Sequence, residues 1–544
     1  MDIFKALRKN RFSILTVAVP FVIYLLLTMP LSDWIIDDAG ITFAYARSLA
    51  GGHGLVSQPG AEPVEGYSNL LWLLMMVPFF LLRVFDPFIV PKIVGAVLVL
   101  FTFIFLSKTV RRYFGIGHFG SFVILILVSS NTSFAVWACS GLENALFVAL
   151  ITFLFYYLVR MLAGDESLDR SAVVCAVVTV GIGLTRPDGV VYAAMFPAAV
   201  LLRLVTARPV NLKPALSAAG LNVALFAVCY GASVIFRYYY FGEWMPNTYY
   251  AKGGPSFDLL TPALTLQEPF LTMFLNLIVS MVGTKARFFV LGFIVVASTL
   301  WLSKQKKWTA YVLLLIFTFI PGFVFIIMPP DWMPEYRFAT PFFPFIYALI
   351  SIQVIFIIRL LFGSGGRVIL VGSIVTVLSL AASAKIQLPR MRQFHRQPTV
   401  SLKGIAGAFA DRFNNYADAL QLDDGSVLLP DLGGTLYYSR LRVYDLARLT
   451  DKVIARTLKK NHAGFYDYVF DTIKPTFIHI HGNWTYAARF DDDPRFRRDY
   501  IPIEEYEDQW ILNRLNLKMM SGNYVRRDVI AGKEEQLLEL LREI

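Results

Sequence analysis

Ionisable side chains interrupt this 544-residue chain mainly at the ends of its long apolar stretches. A charge near an apolar stretch is costly, and it commonly marks a site or a water-filled cavity. Two adjacent carboxylates, Asp37 and Asp38, directly follow the first such stretch. Neighbouring like charges repel each other, so one of the pair either shifts its pKa or meets a cation. A carboxylate so placed can take the proton of a hydroxyl group, which predicts general base chemistry.

Cations and further polar groups occur in the later loops, within the motifs WACSGLENALF, LTRPDG, FGEWMPNTYYAK and PEYRFATP. Arginine and lysine bind phosphate, arginine in a bidentate manner. The candidates for phosphate binding are Arg186, Lys252 and Arg337. The candidates for substrate contacts are His53, Glu65, Glu143, Tyr249 and Tyr250. Single members of this set are equally compatible with solvated interface anchors, and the stretch RYYYFGEW is also typical of an aromatic belt.

Together these residue types suit one kind of chemistry. A carboxylate base, a clamp for phosphate and apolar helices that hold a lipid tail favour transfer of a sugar from a lipid phosphate. The sequence requires no cofactor, because it contains no metal-ligand spacing of the HExxH or CxxC kind. A divalent cation stays open as a cofactor, since paired carboxylates attract a cation.

Apolar helices must position these loops. The chain is 56% hydrophobic with a mean hydropathy of +0.57, which predicts an integral membrane protein. We expect about eleven spans, with an uncertainty of about two, since roughly 20 apolar residues cross a bilayer. The predicted spans are residues 13–31, 88–107, 119–137, 144–160, 171–185, 189–205, 216–239, 287–303, 308–328, 338–360 and 367–384. The shorter stretches 69–82 and 264–283 are expected to lie on the outer surface as interfacial helices.

The distribution of Lys and Arg sets the expected orientation. With the N-terminus inside, 17 of the 26 basic residues in residues 1–384 fall in inner loops. We therefore predict a cytoplasmic N-terminus in a bacterial inner membrane and a periplasmic C-terminus. The net charge of +11 belongs mostly to this membrane part and does not indicate a nucleic-acid partner.

Residues 385–544 are more evenly charged and predict a soluble α/β domain. VLLPDLGG and TFIHIHG are typical of short buried strands that end in turns. The stretches expected to be helical are NNYADAL, DLARLTDKVIARTLKK and EEQLLELLREI. His479 and His481 alternate on the second strand and share a face, so they form either a metal or acceptor site or simply a half-exposed strand face. The expected division is a membrane domain at 1–384, with a first outer loop at 32–87, and the α/β domain at 385–544.

The ordered set of motifs resembles a known superfamily. DDAGITFAYARSLAGGHGLV and EPVEGYSNLLW look like the first outer loop of the GT-C polyprenyl-phosphate-dependent glycosyltransferases. Together with WACSGLENALF, LTRPDG, FGEWMPNTYYAK, PEYRFATPFFPF and the C-terminal VLLPDLGGTLYYSRLRVYDLARLTDKVIAR, they are most similar to the branch of the mycobacterial terminal arabinofuranosyltransferase. Two positions depart from that branch. Gly40 stands where an aromatic is usual, which suggests a wider pocket near the base, and Asn144 stands where Thr is common.

This resemblance implies a GT-C fold and an inverting glycosyltransferase. Some members of the superfamily hold a divalent metal in the first outer loop, where the possible ligands in this chain are Asp37, Asp38, His53 and Glu65. The donor would be a polyprenyl-phosphate sugar such as decaprenyl-phosphoryl-arabinofuranose, and the base would be Asp38 or Asp37. The acceptor would be an extracytoplasmic glycan or a surface protein such as pilin. A mannosyl or other pentosyl transferase is the nearest alternative. A lipid-linked sugar transporter or flippase is the rival from another class, but it predicts ionisable residues near midplane rather than at span ends. A non-catalytic membrane scaffold is a third reading.

Overall fold

Long apolar helices form most of the chain in the computed structural model, which describes residues 2–206, 212–251, 268–304, 308–328, 331–363, 365–533 and 535–536. Ten helices among the described residues are long and apolar enough to cross a membrane. They are Phe12–Leu31, Val90–Tyr113, Asn144–Ala163, Leu168–Thr185, Pro187–Val205, Leu212–Phe241, Arg287–Lys304, Thr309–Ile327, Phe342–Phe362 and Gly366–Arg396. They match ten of the predicted spans.

The eleventh predicted span is a bent pair of helices, His118–Ser130 and Thr132–Ala138, which meet at 69°. Asn131 causes the break. Its backbone is extended, and its side-chain oxygen accepts the N–H of Phe134 at 2.9 Å, so it starts a new helix instead of continuing the old one. The helices Leu70–Leu81 and Glu268–Val282 have 12 and 15 residues, too few to span a bilayer.

The C-terminal residues form a five-stranded mixed sheet. The strands are β1 (Ser426–Leu429), β2 (Arg442–Asp445), β3 (Phe477–Ile480), β4 (Tyr500–Glu507) and β5 (Met520–Arg526). Their order is β2-β1-β3-β5-β4, with β1 parallel to both neighbours and β5 antiparallel to β3 and β4. The two strands predicted from VLLPDLGG and TFIHIHG are β1 and β3, so the predicted fold class is confirmed here.

Short helices surround this sheet and bury its apolar face. The α-helices of eight residues or fewer that follow residue 400 are Leu402–Ile405, Arg412–Ala419, Gly433–Tyr438, Lys452–Thr457, His462–Tyr466, Gly482–Ala488, Pro494–Asp499, Gln509–Leu515 and Arg527–Ile530. A core of apolar and aromatic side chains, including Leu428, Phe465 and Ile478, lies beneath them.

Of the three helices predicted in the C-terminal part, one is shorter than expected, one lies almost entirely outside the described residues and one is present. The stretch 445–460 is helical only over Lys452–Thr457, because Asp445 ends β2 and accepts the N–H groups of Leu449 and Thr450 at 2.6 Å each, which closes a turn. The prediction for 534–544 lies almost entirely outside the described residues. The helix predicted from NNYADAL is present as Arg412–Ala419.

The chain divides into two compact units. The first, which we call the span unit, is Met1–Asp33, Phe88–Ala232 and Ser256–Thr399. The second, the loop unit, is Trp34–Pro87, Ser233–Pro255 and Val400–Ile544. The first loop therefore shares a unit with the sheet, and the helix Gly366–Arg396 continues past residue 385. The division into a membrane domain at 1–384 and a soluble domain at 385–544 stays a prediction.

Candidate functional site

The aspartate pair stands at the start of the helix Ala39–Ala50 in the loop unit, with Asp38 as its N-cap residue. The chain reaches this point through backbone pairing, since the Asp37 N–H donates to Val400 O at 3.2 Å and Leu402 N–H donates to Ile35 O at 2.8 Å. Asp37 is buried, whereas Asp38 is only partly buried. Helix N-termini stabilise negative charge, so this position suits acidic groups.

Both carboxylate oxygens of Asp37 bind backbone amides of the C-terminal sequence. Gly433 N–H donates to Oδ2 at 3.0 Å and Gly434 N–H donates to Oδ1 at 2.6 Å. Burial, reinforced by the charge of Asp38, raises the pKa of Asp37 to about 8, although the two amide donors act in the opposite direction. Asp37 therefore fixes the first loop to the sequence that follows β1.

Three glycines allow this close approach. A Cβ atom on Gly433 would lie 1.8 Å from Asp37 O, and one on Gly434 would lie 2.4 Å from Leu402 O. A Cβ atom on Gly40 would lie 2.4 Å from Gly433 O. Gly40 therefore does not widen a pocket near the base. An aromatic residue at this position would collide with the backbone, and glycine is needed for packing.

Glu65 lies in a second buried cluster of the loop unit. It forms an ion pair with Arg237 through Nε and also accepts from Arg237 Nη2 at 3.2 Å. Burial raises the pKa of Glu65, and the guanidinium opposes that rise. Nearby, Tyr45 Oη donates to Val64 O at 2.6 Å. These contacts hold the EPVEGYSN segment in place, and Glu65 is engaged in its ion pair.

Asn247, in the motif MPNTYY, connects three segments of the loop unit. Its N–H donates to Glu65 O at 2.9 Å. Its side-chain amide donates to Arg448 O and Leu449 O at 2.9 Å each. Our site predictions did not include this residue, because its partners lie in distant parts of the sequence.

The remaining predicted residues of the loop unit have other surroundings. His53 is exposed beyond the C-terminal end of the helix Ala39–Ala50. The guanidinium of Arg456 lies 5.6 Å from the Tyr250 ring centroid, and the Tyr249 and Tyr250 rings lie 5.5 Å apart. Lys252 lies outside the described residues.

The first-loop metal ligands expected from the sequence do not form one site. Asp38 and His53 flank opposite ends of a 12-residue helix, which is about 18 Å long at about 1.5 Å per residue. Glu65 pairs with Arg237, and both oxygens of Asp37 accept amide hydrogens. The distance across the helix excludes a single ion bound by all four residues.

A different group has the composition of a metal site. Asp431, His479 and His481 each place one ligand atom within 4.8 Å of the others, and this is the one such group found among the described residues. His479 Nε2 lies 3.0 Å from His481 Nδ1, and His481 Nδ1 lies 3.5 Å from Asp431 Oδ2. Burial lowers the pKa of His479 to about 3, so this imidazole is neutral at pH 7. The two histidines share a face, as predicted, and Asp431 is the partner that sequence reasoning missed.

The span unit brings together three other predicted residues. Arg186 is buried between two carboxylates, with Nη1 3.1 Å from Glu143 Oε1 and Nε 3.0 Å from Asp188 Oδ1. Arg337 Nε lies 2.7 Å from Asp331 Oδ2. The guanidinium carbons of both arginines lie 4.6 Å from the Phe338 ring centroid. We call these two arginines and three carboxylates the arginine cluster, and its formal charge is −1.

The turn before Arg337 is conformationally unusual. Glu335 and Tyr336 are consecutive non-glycine residues with φ of 61° and 51°. Such conformations cost on the order of 1–3 kcal/mol each and concentrate at functional sites. Glu335 is held by an ion pair with Arg390 and by Ser133 Oγ, which donates to it at 3.0 Å. The motif PEYRF thus presents Arg337 from a strained but well-anchored turn.

Lys92 is a further cation of the span unit that the sequence predictions omitted. Its ammonium group donates to the carbonyls of Leu31 and Ser32, at the end of the first span. Cations commonly stabilise the exposed carbonyls at a helix C-terminus. A lysine at the start of a span on the predicted outer side is an exception to the positive-inside rule. That exception is the sequence signal by which Lys92 could have been found.

An apolar cavity of about 720 Å³ lies within the span unit. Its lining comes from the helices His118–Ser130, Phe342–Phe362 and Gly366–Arg396, and from residues near Met281. Tyr347 and Arg359 are among the few polar residues in its wall. Its volume is typical of ligand cavities, which measure about 300–1,000 Å³.

No family model matches the chain, and no curated protein matches it. Solved structures do. ArnT from Cupriavidus metallidurans bound to undecaprenyl phosphate is 16% identical, with a TM-score of 0.55 over 88% of this chain and 95% of that one. The Archaeoglobus fulgidus oligosaccharyltransferase in complex with Zn and sulfate is 11% identical, with a TM-score of 0.51 over 93% of this chain and 73% of that one. The same archaeal protein, AglB, with an inhibitory peptide and a dolichol-phosphate is 9% identical, with a TM-score of 0.51 over 95% and 74%. At these identities the likeness establishes the fold, and the predicted GT-C fold is confirmed.

Proposed function

We propose that this chain is an inverting glycosyltransferase that moves a sugar from a polyprenyl phosphate to an acceptor hydroxyl on the outer side of the membrane. The main observation in support is the aspartate pair, in which Asp37 accepts hydrogen bonds from two backbone amides and Asp38 remains partly accessible. The shared fold supports the proposal, since one similar structure holds undecaprenyl phosphate and another a dolichol-phosphate.

Asp38 is the proposed base and Asp37 a positioning residue. Both oxygens of Asp37 already accept amide hydrogens, so using Asp37 as the base would disturb the attachment of the first loop. Asp38 takes the proton from the acceptor hydroxyl, and the oxygen attacks the anomeric carbon on the face opposite the phosphate. The bond between that carbon and the phosphate oxygen breaks, and polyprenyl phosphate leaves with the electron pair. The transition state is oxocarbenium-like, as in glycoside hydrolysis.

Arg337 is the first proposed ligand of the donor phosphate. Its ion pair with Asp331 uses Nε, and a guanidinium offers five N–H donors in a planar fork. Arg186 follows, because two carboxylates already flank it. Lys252 remains a third proposed ligand. Glu143 and Glu65 hold arginines, so we assign them to positioning, and His53, Tyr249 and Tyr250 stay proposed contacts of the sugar or acceptor.

The apolar cavity of the span unit is the proposed site for part of the polyprenyl tail. Most of its lining side chains are apolar, and Gly372 contributes to it with no atom within 4 Å of an added Cβ. Gly372→Trp would fill this space and should raise the KM for the donor. Gly220→Trp, on another apolar helix with equally open surroundings, is the matched control.

The proposed donor is a polyprenyl-phosphoryl arabinofuranose, with mannose or another pentose as the alternative. The proposed acceptor is a glycan of the cell envelope or a surface protein such as pilin. These assignments rest on the motif resemblance. The proposed location is the inner membrane, with a cytoplasmic N-terminus and a periplasmic C-terminal part.

An assay of the purified protein in liposomes with radiolabelled donor distinguishes a glycosyltransferase from a flippase. We expect release of sugar from the lipid phosphate, faster with acceptor present, and a product of inverted anomeric configuration. Parallel assays with arabinofuranosyl and mannosyl donors identify the sugar. Movement of intact donor across the bilayer without cleavage would contradict the proposal.

A further inference from the structure

The group of Asp431, His479 and His481 in the loop unit lies at one edge of the sheet. Asp431 follows β1 by two residues, His479 lies in β3, and His481 directly follows β3. Because β1 and β3 are parallel neighbours, their carboxyl ends meet at that edge, and this brings residues separated by some 50 positions together. Neither the proposed base nor the proposed phosphate ligands belong to this group.

The spacing of the ligand atoms suits a tetrahedral ion. Bonds of about 2.0–2.1 Å to imidazole nitrogen place tetrahedral ligand atoms about 3.3 Å apart. The two nitrogens lie 3.0 Å apart, and His481 Nδ1 lies 3.5 Å from Asp431 Oδ2. Asp431 Oδ2 is buried and has no hydrogen-bond partner. Burying a carboxylate oxygen without a partner costs free energy, and a bound metal ion would offset that cost.

A chain of hydrogen bonds fixes the tautomer of His479. Asn523 Nδ2 donates to Glu504 Oε2 at 3.0 Å, which turns the amide oxygen of Asn523 towards His479 Nδ1 at 2.7 Å. That oxygen can only accept, so His479 Nδ1 carries the hydrogen and Nε2 presents a lone pair towards His481. Metal-binding histidines are oriented in this way by an acceptor at the other ring nitrogen.

We propose that Asp431, His479 and His481 bind a zinc ion, with the fourth position open to water or to a ligand. Two imidazoles and one carboxylate favour zinc over magnesium or calcium, which prefer oxygen ligands. Asp431 lies in the same connection as Gly433 and Gly434, whose amides bind Asp37. Zinc therefore also fastens the connection that holds the first loop.

Measuring the zinc content of the protein tests this proposal without a sugar-transfer assay. The full-length protein is purified in detergent, stripped with a chelator, dialysed and titrated with Zn²⁺. We expect one equivalent bound in the wild type and in His462→Gln, a histidine of the same unit outside the group. His481→Gln and Asp431→Asn should lose this equivalent, and Asn523→Leu should weaken binding about 10- to 100-fold by releasing His479.

Zinc should also raise the Tm of the wild type and leave that of His481→Gln unchanged. His481 is partly exposed, so its replacement should preserve the fold, which gel filtration and the Tm of the metal-free protein check. Equal zinc uptake by the wild type and by His481→Gln, or none by either, would overturn the proposal. Because binding is read directly, a failure here is separate from a failure of the proposed transferase activity.

Discussion

The arginine cluster of the span unit and the segment that follows β1 in the loop unit place carboxylates beside different partners. In the arginine cluster of the span unit, Glu143 and Asp188 both pair with the side chain of Arg186. In the loop unit, Asp37 is held by backbone amides and Asp431 faces imidazole. A guanidinium brings a full positive charge to a carboxylate, whereas a backbone amide donates a hydrogen bond and brings no net charge. The first arrangement suits support, and the second suits chemistry on a proton or a cation.

The largest effect on stability is expected in the arginine cluster. Arg186→Met removes the guanidinium that pairs with both Glu143 and Asp188, and breaking a buried ion pair in this way costs about 3–5 kcal/mol in unfolding free energy. Thermal unfolding in detergent measures the loss. The control is Arg170→Met, because Arg170 is exposed and its pair with Glu166 should be worth less than about 1 kcal/mol. Equal Tm values for the two variants would show that the cluster does not support the span unit.

The glycines that hold Asp37 should give the next largest effect. Gly434→Ala places a Cβ atom against Leu402 O and Ala406 N, and overpacking of this kind costs about 1–3 kcal/mol. Transfer activity should fall with it, because the amide donors of Asp37 move. Gly407→Ala is the control, since its Cβ atom would meet nothing closer than 3.9 Å. A wild-type Tm and wild-type activity for Gly434→Ala would contradict the packing described for this connection.

A pH dependence of stability is expected from Asp37. Its folded-state pKa is raised from 3.8 to about 8, so the folded chain holds this proton more tightly than the unfolded chain. Protonation therefore stabilises the fold below about pH 4, and this contribution is lost as the pH rises towards about 8. The Tm of the wild type relative to Asp37→Asn should fall between pH 5 and pH 8. Asp33→Asn, which replaces an exposed carboxyl, is the matched control variant, and a flat difference for Asp37→Asn would refute the raised pKa.

The sequence predicted what depends on local pattern. Hydropathy located the spans and periodicity located β1 and β3, because burial of a span or strand is decided by its own residues. It did not separate Asp37 from Asp38, since the amides that bind Asp37 lie 396 and 397 residues further along the chain. The role of Gly40 and the partnership of Asp431 with the two histidines depend on tertiary contacts in the same way. Arg186 and Arg337 were found by residue type, but their carboxylate partners emerged only from the fold.

The central claim is that Asp38 is the base and Asp37 its positioning neighbour. The direct measurement is the initial rate of sugar transfer from a polyprenyl-phosphate donor by Asp38→Asn, Asp37→Asn and the exposed control Asp33→Asn, with donor binding measured alongside. We expect Asp38→Asn to lower kcat by on the order of 10²–10⁴ while donor binding is kept. Asp37→Asn should lower activity less, together with Tm, and Asp33→Asn should match the wild type. Full activity of Asp38→Asn would contradict the account.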